Sequence, residues 1–375
     1  MPKCSTLKLL IIVTLVFFAT YVGGKKSIPT QAAQNQMLYL PLITKSNPEQ
    51  ITRNVIVLDY SPLIQGLPVW EYFDPDDKDH HWNDPEILEE GFIESMRQIT
   101  DDVVDFKIQQ RIIIPEFPLK DDGFQYDAQS YVRCINNPST CHQPDLISME
   151  RLITDNPIVC EKIRQGEAHE VWIWGGPYFG YSETQTMAKE IGSTTDQHNE
   201  PDMASMTMSG AVCGGPRFHV YGFSYEREVR EMLHNTGHRV EESMAGYFGI
   251  WNFQYFLNPS TIPGNLTPWD IFTARGFDPI APGCGNVHGA INLLQFNTAD
   301  PGGYYYWIGA PVQSRCTNFG VNPSIATPTS SIGCSTWGCT EEGFLKLWLG
   351  MIPNYPGQTN GLTNNWWEIV LSNQY

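Results

Sequence analysis

The chain has 375 residues, with 41 acidic against 23 basic side chains and a formal net charge of −18. That balance argues against a nucleic-acid-binding surface, which rewards basic patches. Beyond the N-terminus no segment is apolar over the roughly 20 residues that a membrane-spanning helix needs.

The N-terminus reads Met1-Pro-Lys-Cys-Ser-Thr-Leu-Lys and is apolar from Leu9 to Val22. Basic residues ahead of a short apolar core, with Ala32-Ala33 behind it, describe a secretory signal peptide over residues 1–33. An uncleaved anchor is the alternative, but the run is short for a span. Residues 34–53 read as a flexible lead-in and 54–375 as a single α/β domain. The stretch 280–375 is a loop-rich, cysteine-containing subregion. The mature protein is expected outside the cell or at its surface, with no stable membrane span after signal cleavage.

Residues 54–60, Asn-Val-Ile-Val-Leu-Asp-Tyr, suit a buried strand. Residues 85–99 read as a helix: Asp84 can cap it, Pro85 sits in the first turn, and Ile87, Leu88, Phe92 and Met96 recur at helical spacing. A β-branched run predicts a strand over 103–114, and a helical pattern covers 145–165. Val171-Trp-Ile-Trp174 before Gly175-Gly176-Pro177 predicts a strand ending in a turn. A fourth strand over 217–224 is expected to feed directly into a helix over 225–244. Strands alternating with helices predict a mixed central sheet flanked by helices. Beyond residue 280, Gly, Pro, Asn, Cys and Trp predict loops and short strands pinned by disulfides. Nine cysteines minus Cys4 of the leader leave eight, which suits an oxidised exported chain. Cys134 with Cys141, and Cys334 with Cys339, are close enough to close small loops. Spacings typical of structural zinc are absent.

The chemistry concentrates on the helix over 225–244. At roughly 100° per residue, Glu231, His234, His238 and Glu242 fall within about 80° of one another, with Glu241 beside them. Histidines at i and i+4 have metal-ligand spacing, because one turn brings both imidazoles toward a common point. The competing view makes this the wet side of an amphipathic helix whose apolar stripe is Val229, Leu233, Val240 and Met244. Gly237, a poor helix former before His238, implies close approach of another element. Further ligands could come from His288, Glu241, Glu242 or His219. Glu183, just past the third strand, is placed to line a pocket as an acid or base.

The segment His234-Asn-Thr-Gly-His238 resembles the His-Glu-x-x-His helix of zincin metallopeptidases. There the histidines bind zinc and the Glu after the first activates water. Here Asn235 holds that position, and an amide cannot take the proton, so Glu231 or Glu241 would have to act as base. The phrases Gly222-Phe-Ser-Tyr-Glu-Arg227, Glu231-Met-Leu, Gly237-His-Arg-x-Glu241, Val171-Trp-Ile-Trp-Gly175 and Gly285-Asn-Val-His288 resemble a family of secreted proteins of uncharacterised function. That likeness implies no activity.

Elsewhere, the Asp- and His-rich stretch 74–84 lacks the Gly and terminal Glu of a calcium loop and reads as a solvated loop. No nucleophile elbow, Walker or dinucleotide glycine pattern occurs, and Asn265-Leu-Thr267 fits a glycosylation acceptor. The expectation is a secreted metal-dependent hydrolase-like protein: zinc on His234 and His238 with His288 or Glu242, Glu231 or Glu241 as base, Glu183 in the pocket, and an extracellular substrate that the sequence does not name. The alternatives are a non-catalytic module binding a glycan or partner through tryptophans, and a metal-free glycoside hydrolase using Glu183 and Glu231.

Overall fold

The computed structural model describes residues 48–73, 82–180, 205–208, 210–248, 266–274, 280–287, 289–292, 310–316, 330–359 and 361–374. The signal-peptide stretch, most of the lead-in, Glu183, most of the Asp- and His-rich stretch, Asn265 and His288 lie outside them. Residues 46–375 cluster as one compact unit.

The sheet begins with β1 (Ile51–Tyr60), whose last six residues are all buried. A strand covered on both faces reads as a continuous apolar run, which is the mark of a central parallel strand. The chain then forms α1 (Pro85–Ile99) and returns as β2 (Val104–Ile114), parallel to β1. The α1 boundaries are those the sequence predicts. Asp84 accepts the Glu86 backbone N–H, and Pro85 occupies the first turn, where its missing N–H costs nothing. Ile87 departs from its expected place in the apolar stripe: it is 67% exposed, and buried Glu89 takes part in the inner face instead.

The return from β2 carries α2 (Ala128–Asn136), α3 (Met149–Thr154) and α4 (Pro157–Arg164). The single helix expected over 145–165 is therefore two. Pro157 has no N–H to donate and disfavours helical backbone at Asn156, and the Asn156 side chain bonds the Leu152 carbonyl at the break.

β3 (Glu170–Gly175) lies parallel to β1 on the side away from β2, and β5 (Phe218–Ser224) lies parallel to β3. β4 (Ser205–Met208) adds an antiparallel edge, giving the order β2-β1-β3-β5-β4. This is the expected mixed α/β sheet. Along β3 the side chains alternate. Glu170, Trp172 and Trp174 face α1 and the helix α5 (Val229–Phe248), while Val171 and Ile173 face the opposite layer.

Tyr225 to Glu228 form a turn, so α5 starts at Val229 and not at residue 225. The cause is Tyr225. Its N–H bonds the Gly175 carbonyl, and its hydroxyl donates to Asp59, so it belongs to the sheet end. α5 is also not amphipathic: Met232 to Glu241, Ser243 and Met244 are all buried. The sheet covers one side of it. The C-terminal part covers another, through α7 (Glu341–Gly350) and α8 (Trp366–Val370), which follow the short α6 (Pro268–Thr273). Those helices were not expected among the C-terminal loops.

Four disulfides join Cys134–Cys141, Cys160–Cys213, Cys284–Cys316 and Cys334–Cys339. Among the described residues no helix is long and apolar enough to cross a membrane.

Candidate functional site

Residues on α5 face two different environments. Asn235 and Arg239, one turn apart, face the sheet. Asn235 donates to the Gly222 carbonyl at 3.2 Å, so the position equivalent to the zincin Glu is a structural tether. Arg239 is 1% exposed and pairs with fully buried Glu170 at 2.8 Å; Arg53 meets the same carboxylate at 3.1 Å. Burial alone would raise the Glu170 carboxyl, but Arg239 and Arg53 hold it below its ordinary value. His219, at the start of β5, lies by this knot. Burial first, then Arg239 and Arg53, keeps its imidazole well below the ordinary range and neutral. That environment belongs to the sheet-facing knot, not to the C-terminal side of α5.

His234 and His238 face that C-terminal side. Their side chains are only 6% and 7% exposed, and their Nε2 atoms lie 3.1 Å apart. Behind each ring stands a carboxylate. Glu341 Oε1, from the first turn of α7, is 3.5 Å from His234 Nδ1, and Glu241 Oε2 is 3.3 Å from His238 Nδ1. Both carboxylates are held in turn. Arg230, one turn before His234, reaches Glu341 Oε2 at 3.3 Å, and the Val287 N–H donates to Glu241 Oε1 at 3.1 Å. Gly237 permits this close packing: a Cβ there would fall 2.6 Å from Val287 Cγ2, which is the close approach its place in the sequence implied.

No family model, curated protein or solved structure matches the chain.

A carboxylate at Nδ1 favours the tautomer with the proton on that nitrogen, leaving Nε2 as a lone pair. With both Nδ1 protonated, the two Nε2 lone pairs would face each other at 3.1 Å and a cation between them would join the rings as ligands; with one proton on an Nε2 the same contact is an N–H···N bond. Two bonds of about 2.0–2.1 Å to one tetrahedral ion would put the nitrogens roughly 3.3 Å apart, close to the observed spacing. The pair thus fits two ligands of a shared ion. Among the described residues no group of three or more His, Cys, Asp or Glu side chains is gathered as a complete metal-ion site.

Glu231 takes Arg230 at 2.8 Å and the Glu228 N–H at 3.2 Å, so it secures the start of α5. Glu241, not Glu242, meets His238. Glu242 lies on the Arg239 side of the helix, where burial pushes its carboxyl up to about 7 against the pull of Arg239 and Arg217. Glu183 and His288 lie outside the described residues. Sequence reasoning missed Glu341. Its only local signature is a helix start, with Thr340 accepting the Gly343 N–H, and that signature says nothing of a partner on α5. Of the described tryptophans, all but half-buried Trp70 are buried, so they form core and not a stacking platform for sugars.

A second polar cluster sits where β1 and β3 part at their C-terminal ends, the usual ligand crevice of such a sheet. Arg111 spans Asp59 and Glu89, Trp174 Nε1 donates to Glu89, and Tyr225 donates to Asp59. Rings close over it. Trp82 is 2% exposed and stacks on Tyr225 at 6.0 Å.

Proposed function

We propose that the chain is an exported, metal-dependent hydrolase-like protein whose reaction centre is the His234–His238 pair. The observation that carries this reading is the convergence of two Nε2 atoms at 3.1 Å with a carboxylate behind each Nδ1. Export rests on the leader pattern and accords with four disulfides.

In this reading His234 and His238 hold a divalent ion, with zinc the ion their chemistry and spacing fit best. Such an ion, when bound, supplies Lewis acidity toward a carbonyl or phosphoryl oxygen. Glu241 and Glu341 orient the rings and keep each Nδ1 proton in place. Arg230 keeps Glu341 from swinging away, and the apolar packing of Val287 and Trp348 against Gly237 limits water on the inner side. Glu231 is spoken for by Arg230, so neither it nor Asn235 acts on a proton here.

The test is metal content of the purified mature chain by atomic emission, with a hydrolysis panel of ester, phosphoester, peptide and glycoside substrates. The expected result is one equivalent of metal, lost in His234→Ala/His238→Ala, together with a chelator-sensitive activity. Metal content near zero in the wild type, or unchanged in the double variant, contradicts the proposal. His288→Ala belongs in the same series, because a catalytic zinc takes three protein ligands.

A further inference from the structure

We propose that Glu341 is a positioning residue for His234, so that the C-terminal helix α7 is a working part of the metal site and not only its cover. The inference rests on the metal-binding reading above. It concerns what sets the strength of that site.

The geometry makes Glu341 a bridge between two turns of α5. Arg230 and His234 are four residues apart and so share a helix face. One carboxylate meets both: Oε2 lies 3.3 Å from Arg230 Nη1 and Oε1 lies 3.5 Å from His234 Nδ1. Arg230 therefore fixes the oxygen that faces away from the ring, which aims the other oxygen at it. Glu241 and the Val287 N–H repeat the arrangement for His238. Each imidazole thus has a carboxylate at Nδ1, and each carboxylate has its own donor. Metal-ligating histidines take such partners because they fix ring orientation and tautomer.

The segment around Glu341 is built to deliver it. The Cys334–Cys339 disulfide closes the loop just before α7, and Thr340 caps the helix through the Gly343 N–H. Trp337 is buried edge-on to Phe344, with ring centres 5.5 Å apart. At the far end of α7, Trp348 Nε1 donates to the Gly285 carbonyl at 2.9 Å. That ties α7 to the loop whose Val287 holds Glu241, so both carboxylates depend on one packed unit. Glu342, the neighbouring acid, pairs with Lys346 on the outer face and provides a control.

The experiment measures zinc affinity by chelator competition, and the visible spectrum of the cobalt-substituted protein, for wild type, Glu341→Ala, Glu341→Gln and Glu342→Ala. Glu341→Ala is expected to weaken zinc by about 10–100-fold and to shift the cobalt bands. Glu341→Gln keeps a carbonyl acceptor and is expected to recover most of the affinity, while Glu342→Ala stays at the wild-type value. If Glu341→Ala does not fold, Glu341→Asp decides in its place: it draws the carboxylate back from His234 Nδ1 by one methylene and is expected to weaken zinc and shift the cobalt bands, and wild-type affinity with unshifted bands overturns the inference. Wild-type protein that binds zinc while Glu341→Ala binds it equally well overturns this inference and spares the metal reading. Wild-type protein that binds no zinc removes both.

Discussion

The two inward faces of α5 differ in kind. On one, Arg239 meets Glu170 at 2.8 Å and Asn235 meets a backbone carbonyl, so opposite charges and a matched donor and acceptor account for the burial. On the other, two chemically identical groups meet at 3.1 Å, each held from behind by a carboxylate. The first arrangement is complete in itself and explains how a helix so rich in polar residues can be the core of a fold. The second joins two like groups across a contact that either a proton or a metal ion can complete. The difference teaches that buried polarity separates into scaffold and site by whether the partners complement each other.

The largest expected effect breaks the scaffold side. Glu170→Ala leaves Arg239 and Arg53 buried without their counter-charge, at a cost of ~3–5 kcal/mol. Urea unfolding should show a lowered midpoint, with zinc affinity of the folded protein unchanged. A variant as stable as wild type would deny that the Glu170 knot is scaffold. Next, Gly237→Ala sharpens the boundary between the faces. Crowding against Val287 costs ~1–3 kcal/mol, partly offset by about 1 kcal/mol of helix propensity. The net loss of stability is small, but a displaced Val287 releases Glu241, so zinc affinity falls more than stability does. Equal affinity in thermally matched samples would break that link.

The smallest effect lies at the sheet end. Glu89 is pushed up to about 7 by burial, with Arg111 and Trp174 opposing. A carboxyl whose folded pKa exceeds its unfolded value of about 4.3 holds its proton more tightly when folded, so ionisation favours unfolding. The penalty is nil below about pH 4.3, grows as pH rises, and is complete above about 7. Asp59 is also raised, first by burial, and adds in the same direction. Glu89→Gln should therefore flatten the fall in stability between these pH values, read as unfolding midpoint against pH. An unchanged slope would show that Arg111 and Trp174 already hold Glu89 ionised at the lower pH.

How far these features were legible follows from their range. Asp84-Pro85 marks the start of α1 within three residues, and the apolar run after Asn54 marks a central strand, because both signals are local. The break at Asn156-Pro157 was also local, yet the apolar pattern on either side masked it. Tyr225 falls within the helix expected over 225–244, whereas its hydroxyl is committed to Asp59 across the sheet. The i, i+4 histidines were visible; the direction they face was not. It depends on Glu170, 69 residues before Arg239, which turns the opposite side of α5 to the sheet. Glu341 arrives from a helix whose own residues carry no mark of the site.

The most direct measurement is ¹⁵N NMR of the imidazoles in protein labelled at histidine, followed while one equivalent of zinc is added to chelator-treated sample. The account predicts that the Nε2 resonances of His234 and His238 shift together and saturate at one equivalent, while both Nδ1 remain protonated. Nε2 signals that ignore zinc, and show a proton shared between the two rings throughout, would contradict it.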